Sequence, residues 1–159
     1  MATMAIKSKT KLLLLFSLFL FSCGRQEQFE TYSAKIEDNV LSVTDKLEYR
    51  FKIDDTLQLY DIDVFMRFSH DFEGQALPLC ITLFSPDGHK YRDSLEFKTD
   101  PSKNYQRSGM WKDYKWKYRN KVTFPRSGNW FVLVGNASNS EIKGIGEISF
   151  ILKDSNGKR

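Results

Sequence analysis

With 159 residues, 41% of them hydrophobic and 28% charged, the chain suffices for one domain with a single buried core and needs no second. Its net charge of +4 overstates its basicity: Lys7, Lys9 and Lys11 precede Cys23 with no acidic residue among them, and a chain cut before Cys23 carries a net +1. That near neutrality removes the basis for a nucleic-acid partner.

Residues 1–22 read as a leader. The three lysines form a charged segment, and Leu12 to Phe21 is an apolar run broken only by Ser17. Ten residues are too few for a helix across a hydrocarbon core, which takes about twenty. Leu20-Phe21-Ser22-Cys23 resembles a lipobox, the recognition sequence of the lipoprotein signal peptidase. That resemblance implies diacylglycerol on the Cys23 sulfur, an acyl chain at the new N-terminus, and anchoring to a membrane through them. No other cofactor is expected. Gly24 follows Cys23 where an inner-membrane retention signal would place aspartate, so the outer membrane is favoured and the leaflet stays open.

After the lipidated cysteine, residues 23–45 are irregular and mostly polar and read as a tether. Structure is expected from Lys46, where Leu47, Tyr49, Phe51 and Ile53 alternate with charged residues in the period of a half-buried strand. Asp54-Asp55-Thr56 turns the chain. A second strand runs from about Gln58 to Phe68, with Tyr60, Ile62, Val64, Met66 and Phe68 on one face. Leu79 to Phe84 form a more continuously apolar, central strand. Ser85-Pro86-Asp87-Gly88 then supplies a hairpin turn, because proline presets φ and glycine accepts a positive one, and Tyr91 to Phe97 return as the partner.

Thr99 to Gly109 lack apolar periodicity and read as a long loop. Tyr114, Trp116 and Tyr118 alternate with Lys115, Lys117 and Arg119. Pro125-Arg126-Ser127-Gly128 makes another turn, Trp130 to Val134 form a strand, and the last strand buries Ile148, Phe150 and Leu152. Seven or so short strands without helical period predict an all-β, antiparallel β-sandwich of jelly-roll or Ig-like type. It occupies residues 46–153 and is followed by a polar tail, 154–159.

The chemistry-bearing residues are sparse. His70 and His89 sit beside turns with no cysteine pair or HExxH, and no GxSxG elbow is present, so neither a metal nor a catalytic site is expected and the chain is read as no enzyme. Asp61, Asp63 and Asp71 supply oxygen ligands of the kind calcium takes, but solvation on a wet strand face is the plainer account of the first two. With Cys23 lipidated, Cys80 has no partner and is expected to be a small buried hydrophobe. Trp111, Tyr114, Trp116, Tyr118 and Trp130 are read first as core and second as a contact for a partner protein. Exposed in a row, they would form the platform of a surface glycan-binding lipoprotein.

The succession Ser85-Pro86-Asp87-Gly88, Arg92-Asp93-Ser94-Leu95, Trp111-Lys112-Asp113, Phe124-Pro125-Arg126-Ser127-Gly128-Asn129-Trp130 and Gly144-Ile145-Gly146, behind a lipobox, resembles the GldH gliding motility lipoproteins of the Bacteroidetes. The resemblance implies a cell-envelope accessory of gliding and type IX secretion, with other motility and secretion proteins as partners and no catalytic residues. Asp55-Thr56-Leu57 and Asp93-Ser94-Leu95 are similar to the O-glycosylation tripeptide of that phylum, which makes Thr56 and Ser94 candidate glycan sites.

Overall fold

The computed structural model describes residues 29–99 and 105–155. The leader 1–22, Cys23, and most of the tail lie outside them. The strands are β1 (Phe29–Lys35), β2 (Val40–Leu41), β3 (Lys46–Ile53), β4 (Tyr60–Phe68), β5 (Ala76–Phe84), β6 (Lys90–Lys98), β7 (Tyr105–Ser108), β8 (Trp111–Val122), β9 (Gly128–Asn136), β10 (Ile142–Lys143) and β11 (Ile145–Asp154). They form a five-stranded sheet in the order β1-β11-β4-β8-β7 and a four-stranded sheet in the order β3-β9-β5-β6, with a small β2–β10 ribbon. All pairings are antiparallel. The predicted antiparallel sandwich is thus the architecture found.

The core follows from the alternation. Tyr49, Phe51 and Ile53 of β3, Leu77, Leu79, Ile81 and Leu83 of β5, and Ile62, Val64, Met66 and Phe68 of β4 all point inward and are buried. Tyr49 spans the interior and donates its hydroxyl hydrogen to the Ile148 carbonyl of the other sheet at 2.8 Å, so that neither buried polar atom is orphaned.

The structure departs from the sequence reading at four places. Residues 29–41 are not tether: β1 pairs along its whole length with β11 as an edge strand, and Ile36 is buried. Its apolar alternation is confined to Tyr32, Ala34 and Ile36, too weak a signal to announce a strand. The loop expected over 99–109 contains β7, which pairs with Trp111–Tyr114 of β8 through its backbone. Asp63 is not on a wet face. It is 5% exposed, held between Lys153 Nζ at 2.6 Å and Lys115 Nζ at 3.4 Å. Crowding by Lys153 in this arrangement lowers the Lys115 pKa. Cys80 is half-buried on the outer face of β5 rather than in the core, and accepts a hydrogen bond from Arg92 Nε at 3.0 Å.

At one end of the sandwich the β10–β11 junction is a tight crossing. The Gly144 N–H donates to the Asn39 carbonyl and its own carbonyl accepts from Ser69 N–H, both at 2.8 Å. Gly144 has φ +82°, and a Cβ there would lie 2.4 Å from the Phe72 nitrogen. Gly144→Ala therefore combines a left-handed backbone with a collision against main chain. It is expected to cost at least about 2 kcal/mol in chemical denaturation. An unchanged denaturation midpoint would overturn this account of the crossing.

Candidate binding cleft

The two flanks of the sandwich differ. On one, β1 lies against β3 and the sheets approach each other. On the other, β7 is only four residues long and covers β8 only as far as Tyr114, so beyond that point β8 faces β6 across a gap. A cleft of about 370 Å³ opens there. This is within the size range of small-ligand and side-chain pockets.

Its floor is apolar, made of Ile62, Leu83, Phe124 and Trp130. Trp130 is 2% exposed, meets Phe124 edge-on with centroids 4.9 Å apart, and donates from Nε1 to the Arg126 carbonyl at 2.9 Å. Tyr91 stacks toward the same indole at 6.1 Å and is itself 47% exposed, which makes it the wall nearest solvent.

The rim is charged. The Tyr118 hydroxyl and Arg119 Nη2 both donate to Asp93 Oδ2. Burial, reinforced by that carboxylate, pushes the Tyr118 phenol above its ordinary range and keeps it neutral. The Arg119 guanidinium also lies 4.5 Å from the Tyr118 ring centroid. Asp93 takes both donors on one carboxylate oxygen. The arrangement suits holding an apolar group beside charge better than activating a nucleophile.

The predicted site residues fall as follows. Tyr114, Tyr118 and Trp130 are buried, and Trp116 is half-buried with its Nε1 donating to the Lys98 carbonyl at 3.0 Å. Trp111 lies on the opposite face of β8, against Gly146. Four of the five rings are therefore core or inter-sheet struts and Trp111 packs on the other face, so the coplanar exposed row that a glycan platform requires is not formed. Asp61 accepts the Lys121 N–H at 2.8 Å near one end, whereas Asp71 belongs to the loop at the other, so the three aspartates do not converge. Among the described residues no group of His, Cys, Asp or Glu is placed to hold a metal. His70 and His89 lie at separate turns, each beside its neighbouring aspartate. Ser94 is exposed on β6 and Thr56 half-buried in the β3–β4 turn. Cys23 lies outside the described residues.

Sequence reasoning passed over Tyr91, Arg92 and Asp93 as cleft residues. One signal was available: in the inward series Tyr91, Asp93, Leu95, Phe97 a carboxylate stands where an apolar residue is expected.

A family model described as GldH lipoprotein matches residues 28–151. A curated relative, the gliding motility lipoprotein GldH homolog of Christiangramia forsetii, is 27% identical over 145 residues, covering 86% of each chain. Among solved structures, one of infectious bursal disease virus, Gx strain, aligns at a TM-score of 0.44 with 13% identity, over 84% of this chain and 33% of that one. A family 35 carbohydrate binding module from Clostridium thermocellum aligns at 0.39 with 10% identity, over 77% and 90%.

Two turns at this end of the sandwich are linked. Arg126 Nε donates to Asp87 Oδ2 at 2.9 Å, and the Ser85 hydroxyl donates to Asp87 Oδ1. The Ser85 hydrogen bond first, then Arg126 and His89, hold the Asp87 carboxyl down to about 2 from an ordinary 3.8. A depressed carboxyl stabilises the fold above the unfolded value and loses that contribution as pH falls from about 4 to about 2. Thermal melts of wild type and Asp87→Asn should therefore differ above pH 4 and converge near pH 2. A gap independent of pH would show that the carboxylate charge does not tie the turns.

Proposed function

Because the chain belongs to the GldH lipoprotein family, we propose that it is a non-catalytic accessory of the gliding and type IX secretion machinery, working through contacts with other envelope proteins. Membership makes it a membrane-associated protein of the cell envelope. The observation that carries the reading is a coincidence of spans. The family match over 28–151 covers the sandwich from β1 into β11, and the lipobox cysteine stands just ahead of it.

That spacing has a geometric consequence. Six residue steps separate Cys23 from Phe29, a reach of about 20 Å at full extension. Phe29 pairs with Lys153 at the end of the sandwich that carries the β3–β4, β5–β6 and β8–β9 turns. With two or more acyl chains on residue 23 holding the protein stably to a bilayer, this end faces the membrane, and the loops over 69–75 and 137–144 project away. The cleft opens on the flank of the membrane-facing half. Gly24 after Cys23 favours the outer membrane as the site of anchoring.

The test is co-purification from crosslinked cells, wild type beside Cys23→Ser, with mass spectrometry of partners and of the N-terminal peptide. We expect an acylated Cys23, membrane fractionation, and motility or secretion proteins captured by wild type alone. An unmodified Cys23 would remove the anchor. Surface movement and type IX secretion that survive deletion of the gene would remove the machinery assignment.

A further inference from the structure

Strand β6 is the last strand of its sheet, and the hydrogen-bond phase of the β5–β6 hairpin identifies its unengaged peptide groups. At one end of the ladder Ser85 N–H donates to the His89 carbonyl at 3.0 Å, and at the other Thr99 N–H donates to the Gln75 carbonyl at 2.9 Å. Residues of a hydrogen-bonded antiparallel pair exchange both bonds, and such pairs alternate along the ladder. Tyr91, Asp93, Leu95 and Phe97 therefore direct their peptide groups at β5, while Arg92, Ser94 and Glu96 direct theirs outward. The Lys98 carbonyl is taken by Trp116 Nε1. Among the described residues no strand pairs with the outward edge.

Edges of this kind are blunted by proline, bulges, short length or charged side chains, and β6 carries only the last of these. This one is nine residues long, with no proline and no register shift. The facing edge of β8 differs. It carries register shifts against β4, and Lys121 has a left-handed φ of 52° with its N–H taken by Asp61. Of the two strands bordering the gap, only β6 offers a regular template.

The side chains beside that template are of two kinds. Facing outward are Lys90, Arg92 and Lys98, against a single acid, Glu96; facing the gap is the apolar cleft floored by Trp130 and walled by Tyr91. Main-chain bonds along a free edge, with a pocket for an alternate side chain, are the physical elements of strand addition.

We propose that the β6 edge receives an extended acidic segment of another envelope protein as an added strand of the four-stranded sheet. An apolar side chain of that segment enters the cleft opposite Tyr91, and its outward carboxylates meet Lys90 and Arg92. The proposal rests on the reading that the protein works through protein contacts, and adds to it the surface and the chemistry of the partner.

The test uses the full chain in detergent, expressed without O-glycosylation. The probe is a blocked nine-residue peptide, Glu-Thr-Glu-Leu-Glu-Leu-Glu-Thr-Glu, and the readout is hydrogen exchange over residues 90–98. At millimolar peptide the Arg92 and Ser94 amides should exchange at least tenfold more slowly. The same peptide N-methylated at alternate amides should give no protection. Ser94→Pro removes only an outward N–H, a position where an edge strand tolerates proline, and should abolish binding. No protection in wild type, equal protection by the N-methylated peptide, or undiminished binding by a folded Ser94→Pro would each overturn the proposal. In crosslinked cells the two readings separate. Partners captured by wild type but lost from Ser94→Pro support both. Partners kept by Ser94→Pro overturn β6 as the surface and leave the contact reading standing, while no partner with either form overturns the contact reading itself.

Discussion

Burying an aromatic ring between two sheets is favourable only if its polar tip finds a partner on the far side, and this sandwich is held by how four such tips are satisfied. Tyr49 reaches from the four-stranded sheet to the Ile148 carbonyl of the five-stranded one. Trp116 and Tyr118 reach the opposite way, to the Lys98 carbonyl and to Asp93. Trp130 turns its Nε1 onto the Arg126 carbonyl in the turn that leads into its own strand. Three of the four bonds cross the interior, so they fix the relative placement of the sheets as well as filling the space between them. The same requirement shapes the open flank, because Trp116 and Tyr118 brace β6 from beneath where no described strand pairs with its outer edge.

Charge is organised by a related constraint on the outer face of the five-stranded sheet. Arg67 forms a two-pronged pair with Asp113 on β8, both bonds at 2.7 Å, and lies 3.6 Å from Glu147 on β11. Two lysines from flanking strands enclose Asp63. Directly opposed residues of opposite sign on neighbouring strands favour one register over its neighbours, since a slip by one residue would separate these pairs and turn the apolar face outward. This face is therefore engaged internally, and ion pairing accounts for aspartates that could otherwise be mistaken for ligands.

The two flanks of the sandwich are built differently. One flank is closed by β1 against β3, and Phe29 lies at the end of the sandwich that carries the β3–β4, β5–β6 and β8–β9 turns. The remaining flank combines a strand edge with which no described strand pairs, an apolar cleft and a cationic border. Hydrogen bonds across the interior make that flank a rigid surface, on a chain whose family is one of membrane-associated envelope lipoproteins.

Much of this was readable along the chain because its physical basis is local. The alternation in β3 and β4 shows which side chains share a face, and Ser85-Pro86-Asp87-Gly88 carries its own turn geometry, so strand positions, the hairpin and the aromatic core could be read without a partner in view. Edge strands were harder: β1 and the residue after it offer only Tyr32, Ala34 and Ile36 in alternation, and β7 is specified by pairing with β8 rather than by its own period. The enclosure of Asp63, the loss of a planar aromatic platform, and the cleft between β6 and β8 all depend on which strands lie side by side. A period of two gives the face of a residue but not its neighbour across the sheet, and Asp93 meets Tyr118, Asp63 meets Lys153 and Tyr49 meets Ile148 only after the chain has closed over long separations. The sequence by itself determined the strand faces and the family likeness, whereas the tertiary structure decided where charge is buried and where the sandwich stays open.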